Sequence, residues 1–206
     1  MREPGVGFLP TGPTATPLDR LRALVLAGHA LQTQLGAISD VNQFVAAATG
    51  IAAVHGLAVD PADLAQALRP DPLGIGRITQ ARLTRHDWPE PGWRPTALVQ
   101  IGAEMAVNWT WFGPDNPVEP FFEDSVWRAQ ALPLNRMVGH YTPLMALAET
   151  LPADAQSDPD GLIFHMSRCG STLVSQTLAA DPQNCVISES TALDTVIRIA
   201  AEQTDI

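Results

Sequence analysis

The sequence contains no lysine, because each of its 12 basic residues is an arginine. This absence excludes the phosphate loop of nucleoside triphosphatases, which needs a lysine directly before a serine or threonine. Cysteine is nearly as scarce, with two residues in a chain of 206. In the cytoplasmic setting that we expect, Cys169 and Cys185 should stay reduced rather than form a disulfide.

Long apolar runs are also absent. No stretch approaches the roughly 20 apolar residues that a membrane helix needs, and the N-terminus lacks the apolar region of a signal peptide. We therefore expect a cytoplasmic protein with no membrane partner. The net charge of −10 argues against nucleic acid as a partner. Because 46% of the residues are hydrophobic, the chain can bury a core of one or two domains.

The most informative stretch of the chain lies between residues 161 and 189. Residues 162–166 form an apolar run of strand length, and a short polar loop follows at residues 167–172. Gly170 lets the loop backbone approach a ligand closely, and the next segment has apolar residues at helical spacing. The first turn of such a helix points free N–H groups at the loop. The pattern therefore predicts a strand–loop–helix cradle for phosphate.

The loop reads Ser-Arg-Cys-Gly-Ser-Thr and resembles the 5′-phosphosulfate-binding loop of the sulfotransferase family, usually Lys/Arg-Ser-Gly-Thr/Ser-Thr. Cys169 replaces the usual serine. A second strand is predicted at residues 185–187, and Ser188 and Glu189 follow it, which is the order found in bacterial and heparan-type sulfotransferases. The resemblance covers roughly residues 160–200.

The resemblance implies an α/β fold with a parallel sheet and 3′-phosphoadenylyl sulfate as the anionic donor, without a metal. Its sulfuryl group would pass to the hydroxyl or amine of an unidentified small molecule, glycan or peptide. Arg168 and Glu189 are then the catalytic residues: Arg168 neutralises the leaving 5′-phosphate, and Glu189 takes the proton of the acceptor. The donor-binding residues implied by the resemblance are Ser167, Arg168, Cys169, Gly170, Ser171 and Thr172.

Each of these residues also has a simpler interpretation. Ser171 and Thr172 are residue types preferred as helix caps, and Arg168 and Glu189 can be surface charges. His165 can be a core histidine or a residue that supports the site residues from behind, rather than a base. Two other functions stay open. One is a kinase-like nucleotide-binding protein that uses the same cradle, and the other is a non-catalytic module that recognises a peptide.

The N-terminal part of the chain is predicted to be helical. Residues 1–15 are rich in proline and glycine and are predicted to be disordered. Three helices are predicted at residues 16–36, 40–56 and 60–68 from their capping residues and apolar stripes, and they form a domain over residues 16–70. This domain is similar to a nitrogen-fixation-associated domain that also serves as a leader in some peptide natural-product precursors. The similarity implies a docking or recognition role.

A linker and a tryptophan-rich region are predicted for residues 71–157. Residues 69–95 hold Arg69, Arg77, Arg82, Arg85 and Arg94, which we expect in an exposed linker. The alternative is a basic face for an anionic ligand. A β-hairpin is predicted from residues 97–101 and 106–112, and two helices are predicted to follow, the second capped by Thr142. All five tryptophans lie in this region, which predicts one compact aromatic patch.

The domain that begins near residue 158 is predicted to be incomplete. It supplies one strand–loop–helix–strand unit and a final helix at residues 191–202, whereas a typical sheet has about four to six strands. The residues that hold the 3′-phosphate in sulfotransferases are not recognisable in it. We therefore expect the chain to be the N-terminal portion of a longer sulfotransferase-like protein, and to be inactive by itself.

Overall fold

The structure, a computed structural model, describes residues 15–70, 83–152 and 158–204. Within these ranges the chain is a mixed α/β protein with nine helices and one four-stranded sheet, so the predicted α/β class is confirmed. None of the described helices is long and apolar enough to cross a membrane. The predicted disorder concerns residues 1–15, of which the first 14 lie outside the described ranges. Arg77 and Arg82 also lie outside them.

The helices are α1 (Pro17–Ala27), α2 (His29–Gly36), α3 (Val41–Val54), α4 (Pro61–Ala67), α5 (Phe122–Gln130), α6 (Pro133–Met137), α7 (Leu144–Thr150), α8 (Ser171–Ala179) and α9 (Thr191–Thr204). The strands are β1 (Leu83–Thr84), β2 (Trp93–Ile101), β3 (Glu104–Trp111) and β4 (His140–Pro143).

The N-terminal unit has four helices, so the prediction of three was wrong. Gly28 has an extended backbone, with φ −118° and ψ 102°, and it divides the first predicted helix into α1 and α2. The predicted caps Thr16, Asp40 and Asp60 are confirmed, because each side chain accepts a hydrogen bond from a backbone N–H group in the first turn.

Side chains from elsewhere in the fold stabilise the break at Gly28. The carbonyl of Leu26 accepts hydrogen bonds from Nε2 of Gln32 at 2.8 Å and from Nη1 of Arg85 at 3.1 Å. Arg85 also forms an ion pair with Asp87 at 2.7 Å. The expectation that Arg85 lies in an exposed linker was therefore wrong, because its guanidinium packs between the helical unit and the sheet.

The sheet has the strand order β1-β4-β3-β2, with a parallel β1–β4 pair and antiparallel pairs elsewhere. Strands β2 and β3 are the predicted hairpin, with Trp93 opposite Trp111. Strands β1 and β4 were not predicted. Thr142 was expected to cap a helix but lies in β4, where its hydroxyl accepts a hydrogen bond from Nε1 of Trp109 at 3.1 Å.

One apolar core joins the helical unit to the sheet, with Leu21, Phe44, Trp109 and Leu134 among its buried members. Aromatic rings fill its centre around His140, whose imidazole lies 4.4 Å from the ring of Trp93 and 6.4 Å from that of Trp109, measured between centroids. The aromatic cluster is therefore part of the packed apolar core. Trp127 stands apart and is 70% exposed, so the expectation of one patch with all five tryptophans was wrong.

Residues 158–204 contribute two helices and no strand in their described part. Residues 162–166 and 185–187 were expected to be strands but have no strand partner, and Phe164 is 90% exposed. The apolar side of α8 also faces solvent, with Leu173 74% exposed. These predictions were wrong because a strand needs a neighbouring backbone for its hydrogen bonds, and none of the described strands reaches these segments.

Candidate functional site

The turn before α8 has a backbone suited to an anion-binding loop. Gly170 is the N-cap residue of α8 and has a left-handed backbone, with φ 89° and ψ 13°. A Cβ atom added to Gly170 would meet no atom within 4 Å. Glycine is therefore favoured at this position for its conformation and not for lack of space.

The N-terminus of α8 has no side-chain cap. Ser171 and Thr172 are the first two residues of the helix, and neither side chain accepts a capping hydrogen bond. In the part of the chain that the structure describes, the backbone N–H groups of these two residues have no acceptor. The interpretation of the two hydroxyl residues as caps was therefore wrong, and their N–H groups are open to an anion.

The two predicted catalytic residues have strained backbones. Among the described residues other than glycine, Arg168 with φ 60° and Glu189 with φ 52° are the ones with a positive φ. A left-handed conformation costs a residue with a side chain roughly 1–2 kcal/mol. Such conformations cluster at functional sites, where the surrounding structure maintains them.

A histidine lies between the loop and Glu189. Oγ of Ser171 is 3.2 Å from Nδ1 of His165, and Oε1 of Glu189 is 3.6 Å from its Nε2. The carbonyl of Met166 also lies 3.4 Å from Nδ1. The side chains of His165 and Glu189 are 30% and 51% exposed, so His165 is not a core histidine; its contacts with two site residues agree with the other interpretation, a residue that supports the site. Sequence reasoning did not predict that these three side chains meet.

Contacts with the start of α5 hold the segment around Glu189. The carbonyl of Ser188 accepts a hydrogen bond from the N–H of Phe122 at 2.9 Å. The N–H of Thr191 donates to Oε1 of Glu123 at 3.0 Å. Because these bonds lie on either side of Glu189, they keep its strained backbone in place.

The remaining predicted loop residues are accessible. Ser167, Arg168 and Cys169 are exposed, and Arg168 forms no ion pair with any residue in the described ranges, so its charge is available to an anion. Both cysteines are free thiols, as predicted. Cys185 accepts a hydrogen bond from Nη1 of Arg94 at 3.3 Å, which attaches Arg94 to this segment.

Two other features are relevant to function. One is an open groove on the surface of α2 and α3, which is the kind of surface that a peptide-recognition module would use. The groove is lined by Leu31, Gln34, Ala46, Ala47, Gly50, Ile51, Val54 and His55. Within residues 15–70, 83–152 and 158–204, no group of three or more histidine, cysteine, aspartate or glutamate side chains is placed to hold a metal ion.

The candidate site is thus an exposed loop whose N–H groups and guanidinium have no partner among the described residues, with a serine–histidine–glutamate cluster beside it. No protein-family model matches this chain, and no curated protein or solved structure matches it either.

Proposed function

We propose that residues 161–189 form the donor-binding and catalytic part of a sulfotransferase-like enzyme. The donor is 3′-phosphoadenylyl sulfate, and the acceptor is a hydroxyl or an amine. One observation carries the proposal: the strained positions among the described non-glycine residues are Arg168 and Glu189, which the loop resemblance singles out as catalytic. A positive φ is uncommon for residues other than glycine, and such strained positions cluster at functional sites.

The reaction is an in-line transfer in which positioning and charge stabilisation do most of the work. The acceptor oxygen or nitrogen attacks sulfur, the bond between sulfur and the oxygen of the 5′-phosphate breaks, and the acceptor proton passes to Glu189. Arg168 contacts two oxygens of the leaving phosphate through its planar guanidinium. The N–H groups of Ser171 and Thr172 donate to the same phosphate. The products are the sulfated acceptor and 3′-phosphoadenosine 5′-phosphate.

Two exposed apolar segments precede the loop and Glu189 in the chain. Residues 162–166 and 185–187 carry apolar side chains in solvent and backbones without strand partners. We propose that, with these two segments unpaired, the chain by itself binds the donor weakly and does not complete the transfer.

Donor binding tests the proposed function. The chain is titrated with 3′-phosphoadenosine 5′-phosphate by isothermal titration calorimetry, as wild type, Arg168→Ala and Arg198→Ala. Arg198 is a matched control, because its side chain is 75% exposed and pairs with Asp194 on α9. Loss of a charge-assisted hydrogen bond costs about 1.5–3 kcal/mol, so Arg168→Ala should weaken binding roughly 10- to 100-fold. Arg198→Ala should leave it unchanged.

Two results would contradict the proposal: a wild-type chain that does not bind the nucleotide, or equal binding by wild type and Arg168→Ala. A parallel titration with ATP and magnesium tests the kinase-like alternative. The absence of lysine favours the phosphosulfate donor, so we expect ATP to bind more weakly. Tighter binding of ATP would support the kinase-like function instead.

A further inference from the structure

His165 brings together three side chains from three different segments. It belongs to the extended segment before the loop, Ser171 is the first residue of α8, and Glu189 precedes α9. Its two ring nitrogens face opposite partners, with Nδ1 3.2 Å from the serine hydroxyl and Nε2 3.6 Å from the glutamate carboxylate. The neutral tautomer with its proton on Nε2 suits these two contacts, because Nδ1 then accepts from the hydroxyl and Nε2–H points at the carboxylate. The Met166 carbonyl, 3.4 Å from Nδ1, suits the other tautomer, but the first alone lets Nδ1 accept from Ser171.

We propose that His165 is a positioning residue that couples occupancy of the donor loop to the orientation of Glu189. The inference rests on the proposed function, because it assigns a role to His165 at the same site. It adds an order to the reaction: the base is aligned only when the donor is in place.

The coupling follows from the single proton of the Ser171 hydroxyl. In the tautomer with the proton on Nε2, and without a ligand, the hydroxyl proton is directed at Nδ1 of His165. A phosphate oxygen at the N-terminus of α8 competes for the same proton, and an anionic acceptor makes the stronger hydrogen bond. When the hydroxyl turns to the phosphate, Nδ1 loses its donor and the ring is released from the loop.

The contact with Glu189 has room to shorten. Its 3.6 Å separation is longer than the 2.7–3.2 Å of an N–H···O hydrogen bond. A ring released from Ser171 can move towards the carboxylate and close this gap. The hydrogen bond then fixes Glu189 in one rotamer, which holds its carboxylate in position for the acceptor proton.

Two substitutions of His165 test the contacts of its two ring nitrogens one at a time. In His165→Asn the amide occupies the position of Nδ1 and contacts Ser171, but it is too short to reach Glu189. In His165→Gln the amide reaches towards Glu189 and leaves the position of Nδ1 empty. Both variants should fold, because His165 lies outside the apolar core and its side chain is 30% exposed.

The test is a titration of the ¹⁵N-labelled chain with 3′-phosphoadenosine 5′-phosphate, followed by NMR. In wild type we expect the amide signals of residues 169–172 and of Glu189 to shift with one common Kd. In both variants the loop signals should still shift, with a Kd changed less than about tenfold, because one neutral hydrogen bond is lost. The shift of Glu189 should be lost in both.

The outcomes separate this inference from the proposed function. Wild-type loop signals that do not shift overturn the proposed function and the coupling with it. Loop signals that shift while Glu189 stays unchanged in wild type overturn the coupling alone. A Glu189 shift that persists in His165→Asn and His165→Gln also overturns it, because the ligand then acts on Glu189 without the imidazole.

Discussion

At the scale of single residues, Gly170 is a position where glycine is favoured for its backbone conformation and not because a side chain would clash. Its φ of 89° is a left-handed value, yet a Cβ atom there would meet nothing within 4 Å. Alanine therefore fits but must adopt a conformation that costs roughly 1–2 kcal/mol. We expect Gly170→Ala to weaken binding of 3′-phosphoadenosine 5′-phosphate about 5- to 30-fold by calorimetry. Gly161→Ala is the control, because that site is equally open and its φ is not positive; an equal loss in both variants would contradict this reasoning.

The carboxyl group of Asp19 should make the stability of the folded chain depend on pH. Burial raises the pKa of its carboxyl, but hydrogen bonds from Thr16 and the charge of Arg22 outweigh burial and leave the pKa below its ordinary value of 3.8. The carboxylate therefore stabilises the folded chain above about pH 4, and this contribution disappears as the pH falls through the lowered pKa.

Asp19 is the third residue of the helix and completes a capping box with Thr16, so we expect it to contribute about 1 kcal/mol, as a helix cap usually does. Asp19→Asn should lower the free energy of unfolding by this amount at pH 7 and by little at pH 2, as measured by urea denaturation. Asp63→Asn is the control, since Asp63 also lies in the first turn of a helix but makes no side-chain hydrogen bond within the described ranges. The same loss at both pH values would show that the carboxylate charge of Asp19 is not involved.

At the scale of helices, two glycines should respond to alanine in opposite directions. Gly50 lies within α3, and a Cβ atom there meets nothing within 4 Å, so Gly50→Ala should stabilise the chain by up to about 1 kcal/mol. Gly36 ends α2 against the indole of Trp111, and a Cβ atom there would overlap Nε1. Gly36→Ala should destabilise by roughly 1–3 kcal/mol, because the core is already filled. Thermal unfolding measures both, and a stabilised Gly36→Ala would contradict the packing of Trp111.

Elements whose signals are local were predictable from the sequence. The β2–β3 hairpin follows from alternating residues around Gly102, and the starts of α1, α3 and α4 follow from their caps. The break at Gly28 was not predictable, because Arg85 hydrogen-bonds a carbonyl 59 positions away in the sequence. Apolar residues at 162–166 indicate a strand, but local sequence cannot tell whether a partner strand is present.

In the candidate site, too, some features are encoded by contiguous sequence and others depend on residues that are distant in the sequence. The loop and its glycine were predicted, because they are contiguous in the sequence and lead into a helix. The meeting of His165 with Glu189 depends on how the segment before α9 folds back. The N–H of Phe122 holds that segment through the carbonyl of Ser188, and no local pattern encodes this contact.

At the scale of the whole molecule, apolar burial is unevenly distributed. The core cluster contains residues from the helical unit and from the sheet with its helices, and it includes no residue between 158 and 204. That segment is held by polar contacts such as those of Phe122 and Glu123. Its apolar side chains on α8 and α9 are largely exposed, including Leu173 at 74% and Ile197 at 58%. Because regions with few buried apolar contacts open at lower free energy, residues 158–204 should unfold locally before the core does.

Native-state hydrogen exchange measures this difference directly. Amides in the middle of α8 and α9 should exchange at least about tenfold faster than those of α3, whose Phe44 and Ala48 are fully buried. Glu123→Gln replaces the charged acceptor of the Thr191 N–H with a neutral one, so it should speed exchange in α9 and leave α3 unchanged. If α8 and α9 were as protected as α3, the segment that carries Glu189 would belong to the same cooperative unit as the core. Its position beside the loop would then be maintained by the core as a whole and not by the contacts at the start of α5.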